Sequence, residues 1–178
     1  MEEFYRARGV AVIRDPDQYS TDFTKCLKWL RQHAIDTRGV ASRLDVIALG
    51  GLGGRVDQGF SQIHHLYMAA KDEELLVGEI YLLSEQSLSF VLEAGLNRIE
   101  LGRETFARNV GIIPITGPAV ITTNGLKWDV QDWETEFGGE ISTSNHLQSE
   151  AIVVETTARV LFTVELSECL TVKITKAA

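Results

Sequence analysis

Residues 50–58, Gly-Gly-Leu-Gly-Gly-Arg-Val-Asp-Gln, set a guanidinium and a carboxylate directly behind a glycine turn. The apolar run Val46-Ile47-Ala48-Leu49 precedes them and a helical pattern follows. A strand, a glycine turn and a helix start form a geometry that presents backbone N–H groups to phosphate, with Gly54 as the last glycine of the turn. Arg55 can fork onto phosphate oxygens. Asp57 would repel a bare polyphosphate. It points instead to a metal-bound phosphate, a cationic substrate or proton transfer, and residue types alone leave these open.

A second cluster, Asp17-Gln18-Tyr19-Ser20-Thr21-Asp22-Phe23-Thr24-Lys25, offers similar chemistry. With Ser20 as a helix cap, Asp22 and Lys25 share one face of the first turns, away from the stripe Phe23, Cys26, Leu27, Leu30 and Ala34. A carboxylate at that end also suits the helix dipole. Downstream the residue types change. Trp128, in Gly125-Leu126-Lys127-Trp128, can stack on an aromatic ring or face a cation. Ser142, Ser144 and Asn145 can hydrogen-bond a heterocycle, although Ser-Thr-Ser-Asn also reads as a turn. Adjacent His64 and His65 point in different directions on a helix, which makes them poor partners for one metal.

The elements needed to position these groups fall into two styles. Val10–Ile13, Asp45–Leu49 and Glu79–Leu83 read as strands alternating with two helices. The second helix starts near Arg55, with Phe60, Ile63, Tyr67 and Ala70 as its inner face. That alternation predicts a parallel, Rossmann-like α/β unit with ligands at the carboxyl ends of its strands, where residues 17–25 and 50–58 both lie. After about residue 84, short alternating segments take over, among them Ser87–Leu92, Ala119–Thr123 and 160–166, and predict an all-β sandwich or jelly roll. The fold class is thus α/β plus all-β, divided into residues 1–84 and 85–178.

A net charge of −8 in 178 residues argues against sequence-independent nucleic-acid binding. No apolar stretch approaches the ~20 residues that a membrane-spanning helix needs. Cys26 and Cys169 are too few for a disulfide framework or zinc site and read as free buried thiols of a cytoplasmic protein.

Taken together, the clusters at 17–25, 50–58, 125–128 and 142–145 resemble, in order, those of the eukaryotic thiamine pyrophosphokinase family, over about residues 1–166. The resemblance implies transfer of pyrophosphate from ATP to the thiamine hydroxyl, giving thiamine diphosphate and AMP. It implies that Asp22 holds Mg2+ and that Gln18, Thr21, Lys25 and Gly54 serve the ATP phosphates. Arg55 would stabilise the transferred group, and Asp57 would orient the attacking hydroxyl or ligate metal. Trp128, Ser142, Ser144 and Asn145 would form the thiamine pocket, completed by the second chain of a homodimer. Family members also carry upstream Asp-Gly-Gly and Gly-Asp-x-Asp-Ser segments that these residues lack. The expectation is therefore an α/β unit without its first strands and with little activity. The alternative is a catalytically weak thiamine-binding or dimerising fragment.

Overall fold

The computed structural model describes residues 2–38, 44–71, 78–102 and 104–168. In chain order the elements are α1 (Glu2–Arg6), α2 (Asp22–Arg38), β1 (Val46–Leu49), α3 (Val56–Lys71), β2 (Ile80–Leu83), β3 (Ser87–Leu92) and β4 (Gly95–Glu100). β5 (Phe106–Ile113), β6 (Ala119–Asn124), β7 (Trp133–Thr135), β8 (Ser142–His146), β9 (Ala151–Thr156) and β10 (Val160–Leu166) follow. They make one six-stranded sheet, ordered β1-β2-β3-β10-β5-β8, and one four-stranded sheet, ordered β4-β9-β6-β7. β1 and β2 run parallel, with Val46 opposite Ile80. The other pairings are antiparallel.

The six-stranded sheet is the middle of three layers, and β10 explains why. Successive side chains of a strand point to opposite faces. Val160, Phe162 and Val164 face the four-stranded sheet and join Ile112, Ile121, Ile152 and Val154 in one core. Leu161, between them, packs on the other side with Leu27 of α2, Leu66 and Ala69 of α3, and Leu82 of β2. Each such side chain contributes about 1.5–3 kcal/mol when fully buried. Arg159 fastens α3 to this sheet. Its Nε donates to both carboxylate oxygens of Glu93, at 2.9 and 2.8 Å, and Nη2 donates to the Ala70 carbonyl at 3.0 Å. That carbonyl belongs to the last turn of α3, where helical acceptors lack partners of their own.

Several local expectations need correction. Val10–Ile13 is not a strand, and Val10 and Ile13 are exposed. Among the described residues β1 pairs only with β2, so the expected three-strand parallel sheet is one parallel pair. Four apolar residues with no neighbouring strand have no ladder to satisfy their backbone groups. Thr21, rather than Ser20, caps α2, because its Oγ1 accepts the Thr24 N–H at 3.1 Å. Cys26 is exposed, outside the Leu27 stripe, and Cys169 lies outside the described residues. Phe60 is exposed as well. The buried residues of α3 all come from its C-terminal half, His65, Leu66, Tyr67 and Ala69.

The predicted change of style at residue 84 is a hairpin within a single sheet. Leu82 pairs with Ser89 and Leu83 with Leu88, while the Ser87 N–H donates to Ser84 Oγ at 2.9 Å. The α/β part and the sandwich therefore share their central layer. Ser142–Asn145, which could also be read as a turn, lies in β8, an edge strand on β5. There Thr143 and Ser144 face solvent without costing the ladder its pairing, while Asn145 is buried.

The close approach of β1 to the start of β2 yields a test. A Cβ on Gly78 would lie 2.5 Å from the Leu44 carbonyl oxygen and 2.8 Å from Asp45 Oδ1. Gly78→Ala should destabilise the fold by about 1–3 kcal/mol through overpacking, seen as a lower urea midpoint. An unchanged midpoint would mean that the two segments are not this close.

Candidate functional site

The α2 and α3 N-termini carry the phosphate-type residues. Asp15 Oδ1 accepts the Asp17 N–H at 2.9 Å, and Asp17 Oδ1 accepts the Tyr19 N–H at 2.8 Å, which winds residues 15–19 into consecutive turns. The Ser20 hydroxyl and then the Tyr19 N–H hold the Asp17 carboxyl below its usual range. Gln18 is exposed, with Nε2 3.4 Å from the Pro16 carbonyl. The Asp22 side chain is 100% exposed, with Lys25 Nζ at 3.6 Å. Lys25 also reaches the Asp15 carbonyl at 3.4 Å, which keeps the ammonium over the turn.

Ahead of α3, Gly54 adopts a φ of +71° in open space. A side chain there would strain the backbone that delivers Arg55 to the helix mouth. Arg55 Nε donates to Asp57 Oδ1 at 3.0 Å, and Nη2 pairs with Oδ2. Both side chains are exposed. The guanidinium beside Asp57 is the main reason its carboxyl lies below the ordinary value. The fork expected on phosphate is here closed on a carboxylate, and a ligand phosphate would exchange with it.

His65 joins these two segments, a role that the sequence analysis did not anticipate. Its side chain is 2% exposed. Nδ1 lies 2.5 Å from the Ser61 carbonyl, which can only accept, so Nδ1 carries the proton. Nε2 then accepts from the Thr21 hydroxyl at 2.6 Å. Thr24 Oγ1, 2.9 Å from Thr21 Oγ1, completes the chain, and Phe23 packs edge-on against the imidazole at 5.2 Å. Burial, the largest influence, pushes the His65 pKa down; the Ser61 carbonyl opposes it and neighbouring His64 adds to it. The sequence signal was the four-residue spacing of Asp57, Ser61 and His65, which shares one helix face.

A second group of residues clamps the backbone of Trp128. Asn145 is buried; its Oδ1 accepts the N–H groups of Trp128 and His146 at 3.2 and 2.8 Å. Its Nδ2 donates to the Trp128 carbonyl at 2.9 Å. Most of its hydrogen-bonding capacity is thus spent on holding Trp128. Asp129 secures the other side of the turn by accepting from Gly125 N, Leu126 N and Thr123 Oγ1. This residue was missed although it directly follows the motif. Trp128 itself stays 52% exposed. The Lys127 ammonium lies 4.5 Å from the centre of its ring, and His146 packs 4.9 Å away. Partial desolvation, with the charges of Arg108 and Lys127, lowers the His146 pKa. Ser142 and Ser144 share β8 with Asn145. Ser144 adopts a φ of +63°, beside a register shift opposite Val110 and Ile112. Such bulges re-aim side chains at sheet edges.

Gly50–Gly54 follows β1, whereas Ser142–Asn145 lies in β8, and these strands are the two edges of the six-stranded sheet. Five steps of ~4.8 Å separate them by about 24 Å. Within one chain the structure brings Thr21 onto α3 through His65, Lys25 beside Asp22, and Trp128 beside Asn145. It does not bring the phosphate-type residues to the indole.

A glycine turn on a parallel strand pair, fused through one sheet to an eight-stranded sandwich that presents a half-exposed indole, defines a two-part α/β-and-sandwich protein. Residues 1–77 match the profile described as "Thiamin pyrophosphokinase, catalytic domain", and residues 97–161 match "Thiamin pyrophosphokinase, vitamin B1 binding domain". The chain belongs to the thiamine pyrophosphokinase family. "Thiamine pyrophosphokinase 2" of Arabidopsis thaliana is 34% identical over 169 residues, covering 93% of this chain and 60% of that protein. The yeast thiamin pyrophosphokinase structure superposes with a TM-score of 0.80 at 27% identity, over 93% of this chain and 65% of that one. The structure from Candida albicans, at 22% identity, shares the fold with a TM-score of 0.82, over 93% of this chain and 68% of that one. The chain thus spans about 60% of the length of the Arabidopsis relative.

Two tests follow from these networks. In the unfolded chain the His65 imidazole charges below about pH 6.5, while in the fold it stays neutral to lower pH. Unfolding therefore takes up a proton in that window. The stability from neutral His65 is full above the unfolded pKa and is lost as pH falls through the folded one. His65→Gln should flatten this part of a plot of melting temperature against pH, and an unchanged slope would assign it elsewhere. Separately, Asn145→Ala should cost about 3 kcal/mol in urea unfolding, because it leaves buried backbone groups unpaired. A loss below about 1 kcal/mol, the ordinary worth of one hydrogen bond, would show that the clamp is not needed.

Proposed function

We propose that this chain transfers pyrophosphate from ATP to the hydroxyl of thiamine, giving thiamine diphosphate and AMP, within a homodimer. The observation that carries this reading is the pairing, in one chain, of a phosphate-type turn with a half-exposed indole, each inside the profile that suits it. The first unit reads as a Rossmann-like nucleotide unit, residues 1–84. The strand orders β3-β10-β5-β8 and β4-β9-β6-β7 support reading residues 85–178 as a jelly roll that binds thiamine. A cytoplasmic setting suits the exposed Cys26 thiol, which stays reduced there.

On the nucleotide side, Gln18, Lys25, the Thr21 backbone N–H and the amides around Gly54 would receive the ATP phosphates, since the Thr21 hydroxyl is spent on His65. Magnesium takes one or two carboxylates along with phosphate oxygens and water, and the fully exposed Asp22 carboxylate fits that habit. Among the described residues no cluster of three or more ligating side chains forms a closed metal cage. Asp22 would hold the ion that arrives with ATP, whose charge offsets that of the polyphosphate. Arg55 would transfer its fork from Asp57 to the moving group and stabilise the charge that develops there. Asp57, released by Arg55 as the fork moves, would then orient the thiamine hydroxyl or ligate the metal.

On the thiamine side, the Lys127 ammonium marks the face of Trp128 as a cation site. The thiazolium of thiamine carries the same charge and would take that place, with Ser142 and Ser144 offering hydroxyls to the pyrimidine. Asn145 would act by fixing Trp128. The separation of about 24 Å between the sheet edges is what calls for a second chain.

Incubation of the protein with thiamine and Mg-ATP should yield AMP and thiamine diphosphate in equal amounts; thiamine binding without either product would refute the transfer. Asp22→Asn and Trp128→Ala chains should each lose most activity. Mixed together they should recover about a quarter of it, because half the dimers are mixed and each carries one intact site. Failure to complement, with dimers present, would place the whole site in one chain.

A further inference from the structure

His65 is the buried polar side chain that bridges the two phosphate-side segments. Its ring touches Thr21, which immediately precedes Asp22, and Phe23, which immediately follows it. Through Nδ1 and the Ser61 carbonyl it is locked onto α3. Asp57, Ser61 and His65 follow one another at four-residue intervals, so the contact lies about 12 Å below Asp57 along the same helix face. Thr21 faces three demands at once. Its Oγ1 accepts the Thr24 N–H as helix cap, meets Thr24 Oγ1, and donates to His65. A phosphate-binding turn held only by its own hydrogen bonds could swing as a unit. Held to α3, it cannot.

We propose that His65 is the positioning residue that docks the Asp17–Asp22 turn on α3, and thereby fixes Asp22 relative to the Arg55–Asp57 pair for one shared polyphosphate. The proposal rests on reading this side of the molecule as the nucleotide site. A core histidine that merely fills space would be replaceable by any side chain of similar volume. A positioning histidine needs an acceptor at the place of Nε2. His65→Leu keeps the bulk and removes the acceptor, whereas the longer amide of His65→Gln returns an oxygen to it.

The test uses the full chain, with Mg-ATP and thiamine affinities measured by calorimetry and amide exchange followed at Asp22–Lys25. His65→Leu should weaken Mg-ATP binding about tenfold, equivalent to the loss of one well-placed hydrogen bond. Thiamine affinity should be unchanged and exchange at Asp22–Lys25 faster, and His65→Gln should restore all of the loss. Unchanged Mg-ATP affinity in His65→Leu, or equal loss of both affinities, overturns the proposal and leaves the proposed activity standing. A wild-type chain that binds no Mg-ATP overturns both. If His65→Leu does not fold, Thr21→Val, which keeps the branched shape without the hydroxyl, decides: retained Mg-ATP affinity overturns the proposal, and a similar tenfold loss supports it.

Discussion

Strand β10 is buried on both faces, and the molecule is arranged around that constraint. Val160, Phe162 and Val164 must enter one core while Leu161 enters the other. Since the side-chain period is two, a slip of one residue would send Phe162 beneath the helices and Leu161 into the sandwich. Such a slip would also carry Arg159 away from Glu93 and from the Ala70 carbonyl, loosening the C-terminal end of α3. The register of this one strand therefore fixes β3 and β2 on one side and β5 and β8 on the other. In doing so it sets how far the glycine turn lies from the indole.

Charge is divided between those two edges. At the α3 mouth, Arg55 and Asp57 neutralise each other in the open. Exposed pairs of this kind are worth little to stability, about 0–1 kcal/mol, so a ligand can separate them at small cost. Asp22, fully exposed, pairs loosely with Lys25 at 3.6 Å. At the far edge, Lys127 rests on an aromatic face instead of a carboxylate. Under the proposed function, one edge would take an anion accompanied by a cation, and the other a cation alone. This division accords with a net charge of −8 in a protein whose proposed ligands include a polyphosphate.

The glycine turn and most sandwich strands were legible because short-range pattern determines them: an apolar run before glycines, or alternation over five to seven residues. Val10–Ile13 had the composition of a strand but no neighbour among the described residues, and pairing is not a local property. Ser142–Asn145 failed in the opposite sense, since its polar residues suit an edge strand as well as a turn. Asp22, Arg55 and Trp128 were singled out by residue type, spacing and family resemblance, and the side chains of all three reach solvent. His65 was passed over because its partner Thr21 lies far off in sequence, and adjacent histidines suggested a metal question instead. Asn145 was expected to face a ligand, yet its amide turns inward. A sequence states which groups an amide can bond but not which side of the chain it will face.

The clamp around Trp128 has an optical consequence. Trp29 is stacked on His33 and Trp133 packs against the sandwich core, so both lie in settings unlike that of Trp128. The Trp128 indole alone combines a fixed backbone, a half-exposed ring, an ammonium above it and an imidazole at its side. Indole emission responds to nearby charge and to the water around the ring, and here both are set by two named neighbours. Exchanging the Lys127 ammonium for another cation, or protonating His146, would alter the field across a chromophore whose backbone is fixed. Trp128 is therefore a built-in fluorescent gauge of its own surroundings, readable without any label.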